Sequence, residues 1–149
     1  MMPRARECLQ HWLCPPPAGC SSSPLDPKSG HFTYANAGHN LPCCCHEHAA
    51  TDLMARGMPL GLMPGMSYEE KETILEAGQT ALFYSDGLVE AHDPEGGMFG
   101  FPRLRELVAE HGEEKSLGHF LLEQLYSFVG ESWEQEDDIT LLTLERSPT

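Results

Sequence analysis

Three aspartates pose the first chemical question in this chain. Asp86 follows the apolar run Ala81-Leu82-Phe83-Tyr84 in "FYSDGLVEAHD", and Asp137-Asp138 opens "DDITLLTLE". A carboxylate at the end of a buried strand either turns the chain or presents an oxygen ligand, and Asp-Gly is a common turn pair. If the two strands were antiparallel neighbours, the end of one would lie beside the start of the other and the carboxylates would converge. Hard divalent cations such as Mg2+ and Mn2+ take oxygen ligands, and a paired site of that kind can activate water against phosphorus. On spacing alone, turn and ligand both stand.

Other groups invite chemistry less strongly. In "CCCHEH", strand alternation would put Cys44, His46 and His48 on one face, the start of a zinc site. No fourth ligand is spaced in, however, and cysteine also packs as a small hydrophobe, so the segment reads as a core strand. In "NAGHN", Asn36, His39 and Asn40 read as a hydrogen-bonded loop corner. Met54, Met58, Met63 and Met66 read as loop packing, and Trp12 and Trp133 have no partner that the sequence supplies. No Cys or Ser lies in a nucleophile motif.

The elements that must position the aspartates follow from patterning. Residues 1 to 24, with Pro15-Pro16-Pro17 and Ser21-Ser22-Ser23-Pro24, have no usable period and read as a disordered or atypical leader. Asp26-Pro27-Lys28-Ser29-Gly30 has turn chemistry, and a strand follows over His31 to Ala35. A second short strand is predicted through the cysteines, then an irregular "RGMPLGLMPG" loop. The sequence next predicts a hairpin, Glu69 to Leu75 and Thr80 to Tyr84, turning at Glu76-Ala77-Gly78-Gln79. Two helices follow. The first has Pro102 in its first turn, Leu104, Leu107 and Val108 on one face, and Gly112 at its end. The second runs from Ser116 as N-cap through Leu117, Leu121, Leu125 and Phe128 to Gly130. "DDITLLTLE" is predicted to be the last strand.

The whole chain sets the bounds. Its 149 residues suit one domain. Nine basic against 23 acidic residues leave a net charge of −14, which disfavours nucleic acid and anionic lipid as partners. No apolar run is long enough for membrane insertion or a secretory signal, so the expected location is cytoplasmic. The six cysteines lack the spaced framework of a disulfide scaffold.

Read in order, "LDPKSGHFTYANAGHNLP", "GMPLGL", "ALFYSDGLVEA", "FGFPRLRELV" and "DDITLLTLE" closely resemble the C-terminal part of the PPM-type (PP2C-like) serine/threonine phosphatases of the bacterial sporulation stage II protein E and sigma-factor-regulator group. The resemblance covers about Leu25 to Glu145. It implies an α+β fold, a β-sandwich flanked by helices in α-β-β-α layers, over a partial phosphatase domain at residues 25 to 146. It implies two Mn2+ or Mg2+ ions at one end of the sandwich and hydrolysis by a metal-activated water. The implied substrate is a phosphoserine or phosphothreonine protein, such as an anti-sigma-factor antagonist. Carried across by position, Asp86 and Asp137 match metal aspartates, and Asp138 assists or ligates. Gly87 lets the chain turn beside the ions, Glu90 is read as an outer-shell acceptor or, by preference, an exposed charge at a helix start, and Asn36 and His39 belong to the hallmark loop as possible supporting residues.

The pattern also breaks. The earlier metal motif of the family, an aspartate followed by Gly-His-Gly, has no counterpart in residues 1 to 24, and "SGHF" at Ser29 to Phe32 lacks the aspartate. The expectation is therefore a domain truncated on its N-terminal side, with weak metal affinity and exposed sheet edges through which copies could pair. A catalytically incomplete module acting through protein binding is the alternative.

Overall fold

A computed structural model of the chain describes residues 25–60, 62–65, 67–112, 116–130 and 137–147. The leader at 1 to 24, with Trp12 and three of the cysteines, lies outside the described residues, as do Met66 and Trp133.

Among the described residues six strands are present: β1 (His31–Ala35), β2 (Cys43–His46), β3 (Ala49–Asp52), β4 (Glu70–Ile74), β5 (Thr80–Tyr84) and β6 (Leu141–Glu145). Three helices accompany them: α1 (Asp86–Val89), α2 (Gly100–His111) and α3 (Leu117–Val129). The strands form two sheets, a pair β1-β4 and a four-stranded sheet in the order β3-β2-β5-β6, with every neighbouring pair antiparallel. All five residues of β5 are buried, which accounts for the apolar run that follows Thr80. Ala81 and Phe83 face the other sheet, with Phe32, Tyr34, Leu53, Ala55 and Leu75. Leu82 and Tyr84 face the helices, with Leu104, Val108, Leu121 and Leu125. Each such fully buried large side chain contributes about 1.5–3 kcal/mol of apolar transfer free energy.

The described residues thus give three layers: helices α2 and α3, the four-stranded sheet, and the β1-β4 pair. The mixed sandwich is as expected, but of the two helix layers in an α-β-β-α arrangement the described residues supply one, formed by α2 and α3. Both helices bury the predicted stripes, Leu104 and Val108 on α2 and Leu117, Leu121 and Leu125 on α3.

Several expectations are corrected. Glu69 to Leu75 and Thr80 to Tyr84 do not form a hairpin. β4 pairs with β1 and β5 with β2 and β6, so the turn at 76 to 79 carries the chain from one sheet to the other. The turn itself is made, with Gln79 N–H donating to the Glu76 carbonyl at 3.0 Å, but its flanks are claimed by different partners. Arg146 pins this crossing: its guanidinium donates to the carbonyls of Ser29 at 2.7 Å, Leu75 at 2.9 Å and Lys28 at 2.8 Å. β3 was not anticipated. It pairs with β2 through a turn whose central residues, Glu47 and His48, have φ of 48° and 60°. His48 therefore leaves the strand alternation, and the shared face proposed for Cys44, His46 and His48 is not formed.

Helix ends also differ from expectation. Ser116 is left-handed at φ 79°, not in the extended conformation usual for an N-cap, and its side chain makes no cap. Gly112 ends α2 without a positive φ; a Cβ there would lie 2.5 Å from Cys45 Sγ, so close packing on β2 is what requires glycine. The last strand begins at Leu141, leaving Asp137 and Asp138 in irregular chain ahead of it.

Candidate functional site

The β5–β6 register runs from Thr80 opposite Glu145 to Tyr84 opposite Leu141. The condition set by the sequence is therefore met: the end of β5 lies beside the approach to β6. One further rung follows, in which Ser85 N–H donates to the Thr140 carbonyl at 3.0 Å. Its return bond is unusual, because Thr140 N–H donates at 2.9 Å to the Ser85 hydroxyl and not to the Ser85 carbonyl. The hydroxyl in turn donates to the Asp138 carbonyl at 2.9 Å. The Ser85 carbonyl instead accepts from Leu88 N–H at 3.3 Å, which starts α1.

Asp86 is the exposed first residue of α1, and its Oδ1 accepts from Gly87 N–H at 3.1 Å. Gly87 is buried, and a Cβ there would lie 2.8 Å from the Asp138 carbonyl oxygen and 3.4 Å from Ile139 Cγ1. The absence of a side chain is thus what lets the two carboxylate-bearing segments approach. Asp137 and Asp138 are both exposed, and Asp138 N–H donates to Asp137 Oδ1 at 2.7 Å. Glu90 is exposed but sits at the C-terminal end of α1, with its N–H donating to the Asp86 carbonyl at 2.9 Å. The expected helix-start position is corrected accordingly, since α1 ends where the chain bends toward Ala91.

Registers place two loops at the same end. Cys43 lies opposite both Leu82 and Asp52, and Ala35 opposite Glu70, so the loop at 36–42 and the described ends of the next loop, 53–60 and 67–69, emerge where β5 terminates. Asn36 is buried and closes its own loop: its Oδ1 accepts from His39 N–H at 2.7 Å and its Nδ2 donates to the His39 carbonyl at 2.9 Å. The two loops touch, since a Cβ at Gly38 would lie 2.7 Å from Pro59 Cγ and one at Gly57 3.0 Å from Asn36 C. The methionines of the longer loop are not packed as expected. Met54 and Met63 are each 55% exposed, and Leu60 and Leu62 each 60%. Nearby, Arg105 of α2 forms an ion pair with Asp52 at the end of β3.

The donors here are hard oxygens, from the Asp86, Asp137 and Asp138 carboxylates and the carbonyls of the same turns, and they suit Mg2+ or Mn2+. Among the described residues, no group of three or more His, Cys, Asp or Glu side chains could hold a metal ion. An ion at this end would draw most of its ligands from water. Among the described residues, the cysteines belong to no group that could hold a metal ion. Cys43 and Cys45 are buried, and burial pushes the Cys43 thiol up to about 12 and the Cys44 thiol up to about 11. Both thiols therefore stay protonated near neutral pH in the metal-free chain. Sequence reasoning missed Ser85; the only available signal was a hydroxyl residue between a buried strand and Asp86.

The family model for "Stage II sporulation protein E (SpoIIE)" matches residues 17–147. Among curated proteins, phosphoserine phosphatase RsbU of Bacillus subtilis is 31% identical over 119 residues, covering 77% of this chain and 35% of that protein. Among solved structures, the RsbU and RsbW domains of a Mycobacterium tuberculosis protein superpose with a TM-score of 0.67 at 30% identity, over 84% of this chain and 35% of that one. The SiaA-PP2C domain of Pseudomonas aeruginosa shares the fold, with a TM-score of 0.66 at 21% identity, over 79% of this chain and 47% of that one. The chain thus spans about a third of the length of the curated relative it matches. No helix among the described residues is long and apolar enough to cross a membrane.

Proposed function

The chain belongs to the stage II sporulation protein E family of PPM-type protein phosphatases, and from that premise we propose that it carries the late carboxylate half of a divalent-metal phosphatase site. In this reading Asp86 and Asp137 hold Mn2+ or Mg2+, Asp138 assists, and Gly87 keeps the two segments in contact. When bound, the ion would supply an activated water as nucleophile toward a phosphoester and offset the charge developing on phosphorus. The residues themselves supply fixed negative charge at one sandwich end, and the Asn36 corner holds the adjoining loop in place. The substrate is a phosphoserine or phosphothreonine protein of a bacterial sigma-factor or stress circuit. The observation that carries this reading is the β5–β6 register, which puts Gly87 against the Asp138 carbonyl.

A second reading is a catalytically incomplete module that acts by binding a protein partner. It is favoured by the lack, among the described residues, of a side-chain group sufficient to hold a metal, and by the exposed apolar loop beside the aspartates. Calorimetric titration of Mn2+ into the 149-residue chain, with turnover of p-nitrophenyl phosphate followed in the same samples, separates the two. The phosphatase reading expects binding and turnover, with Asp86→Asn lowering Mn2+ affinity roughly tenfold or more. Folded protein without either result would leave the binding module.

A further inference from the structure

A strand that passes directly into a helix faces a conflict at the junction. Its last carbonyl is wanted by the neighbouring strand as an acceptor and by the helix as the start of its own hydrogen bonds. At Ser85 the carbonyl goes to the helix, accepting from Leu88 N–H at 3.3 Å. Thr140 N–H would then have lost its partner, but the Ser85 hydroxyl accepts it at 2.9 Å. The same hydroxyl spends its own proton on the Asp138 carbonyl at 2.9 Å. One side chain thus bridges two backbone groups of the segment that holds Asp137 and Asp138, from the position next to Asp86.

We propose that Ser85 is a positioning residue for the metal site: its hydroxyl replaces a backbone rung and fixes the approach of Asp138 to Asp86. This rests on the reading that Asp86 and Asp137 are metal ligands. The hydroxyl touches no reacting group, so its effect is on the register and spacing of the carboxylates. An alanine removes both bonds, leaving Thr140 N–H and the Asp138 carbonyl to water and the segment free to move. A threonine keeps the oxygen and the proton. A cysteine keeps the approximate shape but is a weak donor and acceptor.

The test is Mn2+ affinity by calorimetry on the full chain as wild type, Ser85→Ala, Ser85→Cys, Ser85→Thr and Asp86→Asn, with amide hydrogen exchange at Thr140 measured without metal. The expected result is that alanine and cysteine weaken Mn2+ binding about 10- to 100-fold, the range for groups that orient ligands, and that both speed exchange at Thr140. Threonine restores both readouts. Should alanine fail to fold, the cysteine and threonine pair decides. Unchanged affinity in the alanine or cysteine variant, with Asp86→Asn impaired, overturns this inference alone. Equal loss in the threonine variant also overturns it. Unchanged affinity in Asp86→Asn, or no Mn2+ binding by wild type, overturns the metal reading and this inference with it.

Discussion

Cys43 and Tyr84 lie in the core beneath the candidate site, and burial governs their titration. Burial, with the nearby Asp52 charge, pushes the Cys43 thiol from an ordinary 9.0 up to about 12. Burial, again with Asp52, pushes the Tyr84 hydroxyl from 10.0 up to about 12. Unfolded chains would release these protons first, so the stability tied to both groups is fully present below pH 9 and is lost as pH rises toward 12. Urea midpoints between about pH 8 and about pH 11 should fall more steeply for wild type than for Cys43→Ala. Equal slopes would mean that the thiol is not shielded. At this scale the sequence was informative about identity and less so about role. Asp86, Asp138 and Gly87 were legible because motif order singled them out. Ser85 was not, because its work is done by hydrogen bonds to residues more than fifty positions away, and a lone serine carries no signal of them.

Among the elements, amphipathic helices and the apolar β5 were readable because each is set by local periodicity. Pairing was not. The turn at 76 to 79 has the residues of a hairpin, yet the choice between hairpin and crossing depends on what each flank meets: β4 meets β1, and β5 meets β2 and β6. β3 escaped notice since Glu47-His48 lacks the Asn-Gly or Asp-Gly signature of a tight hairpin. The contact between α2 and β2 makes a prediction of its own. Gly112→Ala would drive a Cβ into Cys45 and should destabilise the fold by about 1–3 kcal/mol through overpacking. Chemical denaturation checks this, and Gly65→Ala serves as a comparison for the φ strain of a loop glycine whose Cβ would meet nothing. A Gly112→Ala loss no larger than about 0.5 kcal/mol would show that α2 can shift off the sheet.

For the molecule as a whole, composition argued against classes of partner more readily than it named one, and the family resemblance supplied the fold that patterning alone left at "mixed". What remained hidden was which face the helices would cover, because that depends on contacts between distant segments. The consequence of the strand order is kinetic. Only β2 and β3 pair locally among the described strands; β1 waits for β4, and β5 waits for β6 across the longest interval, residues 80–84 with 141–145. Loop-closure entropy makes such distant pairings slow to form. The segments that carry the aspartates come together only when that last pairing is made, so in the proposed reading they are apart in the transition state for folding. Stopped-flow chevrons should then show Mn2+ slowing the unfolding limb while leaving the folding limb unchanged. Acceleration of folding by Mn2+ would mean that β5 and β6 find each other early. On the expected outcome, the cation acts as a latch on a finished molecule and takes no part in building it.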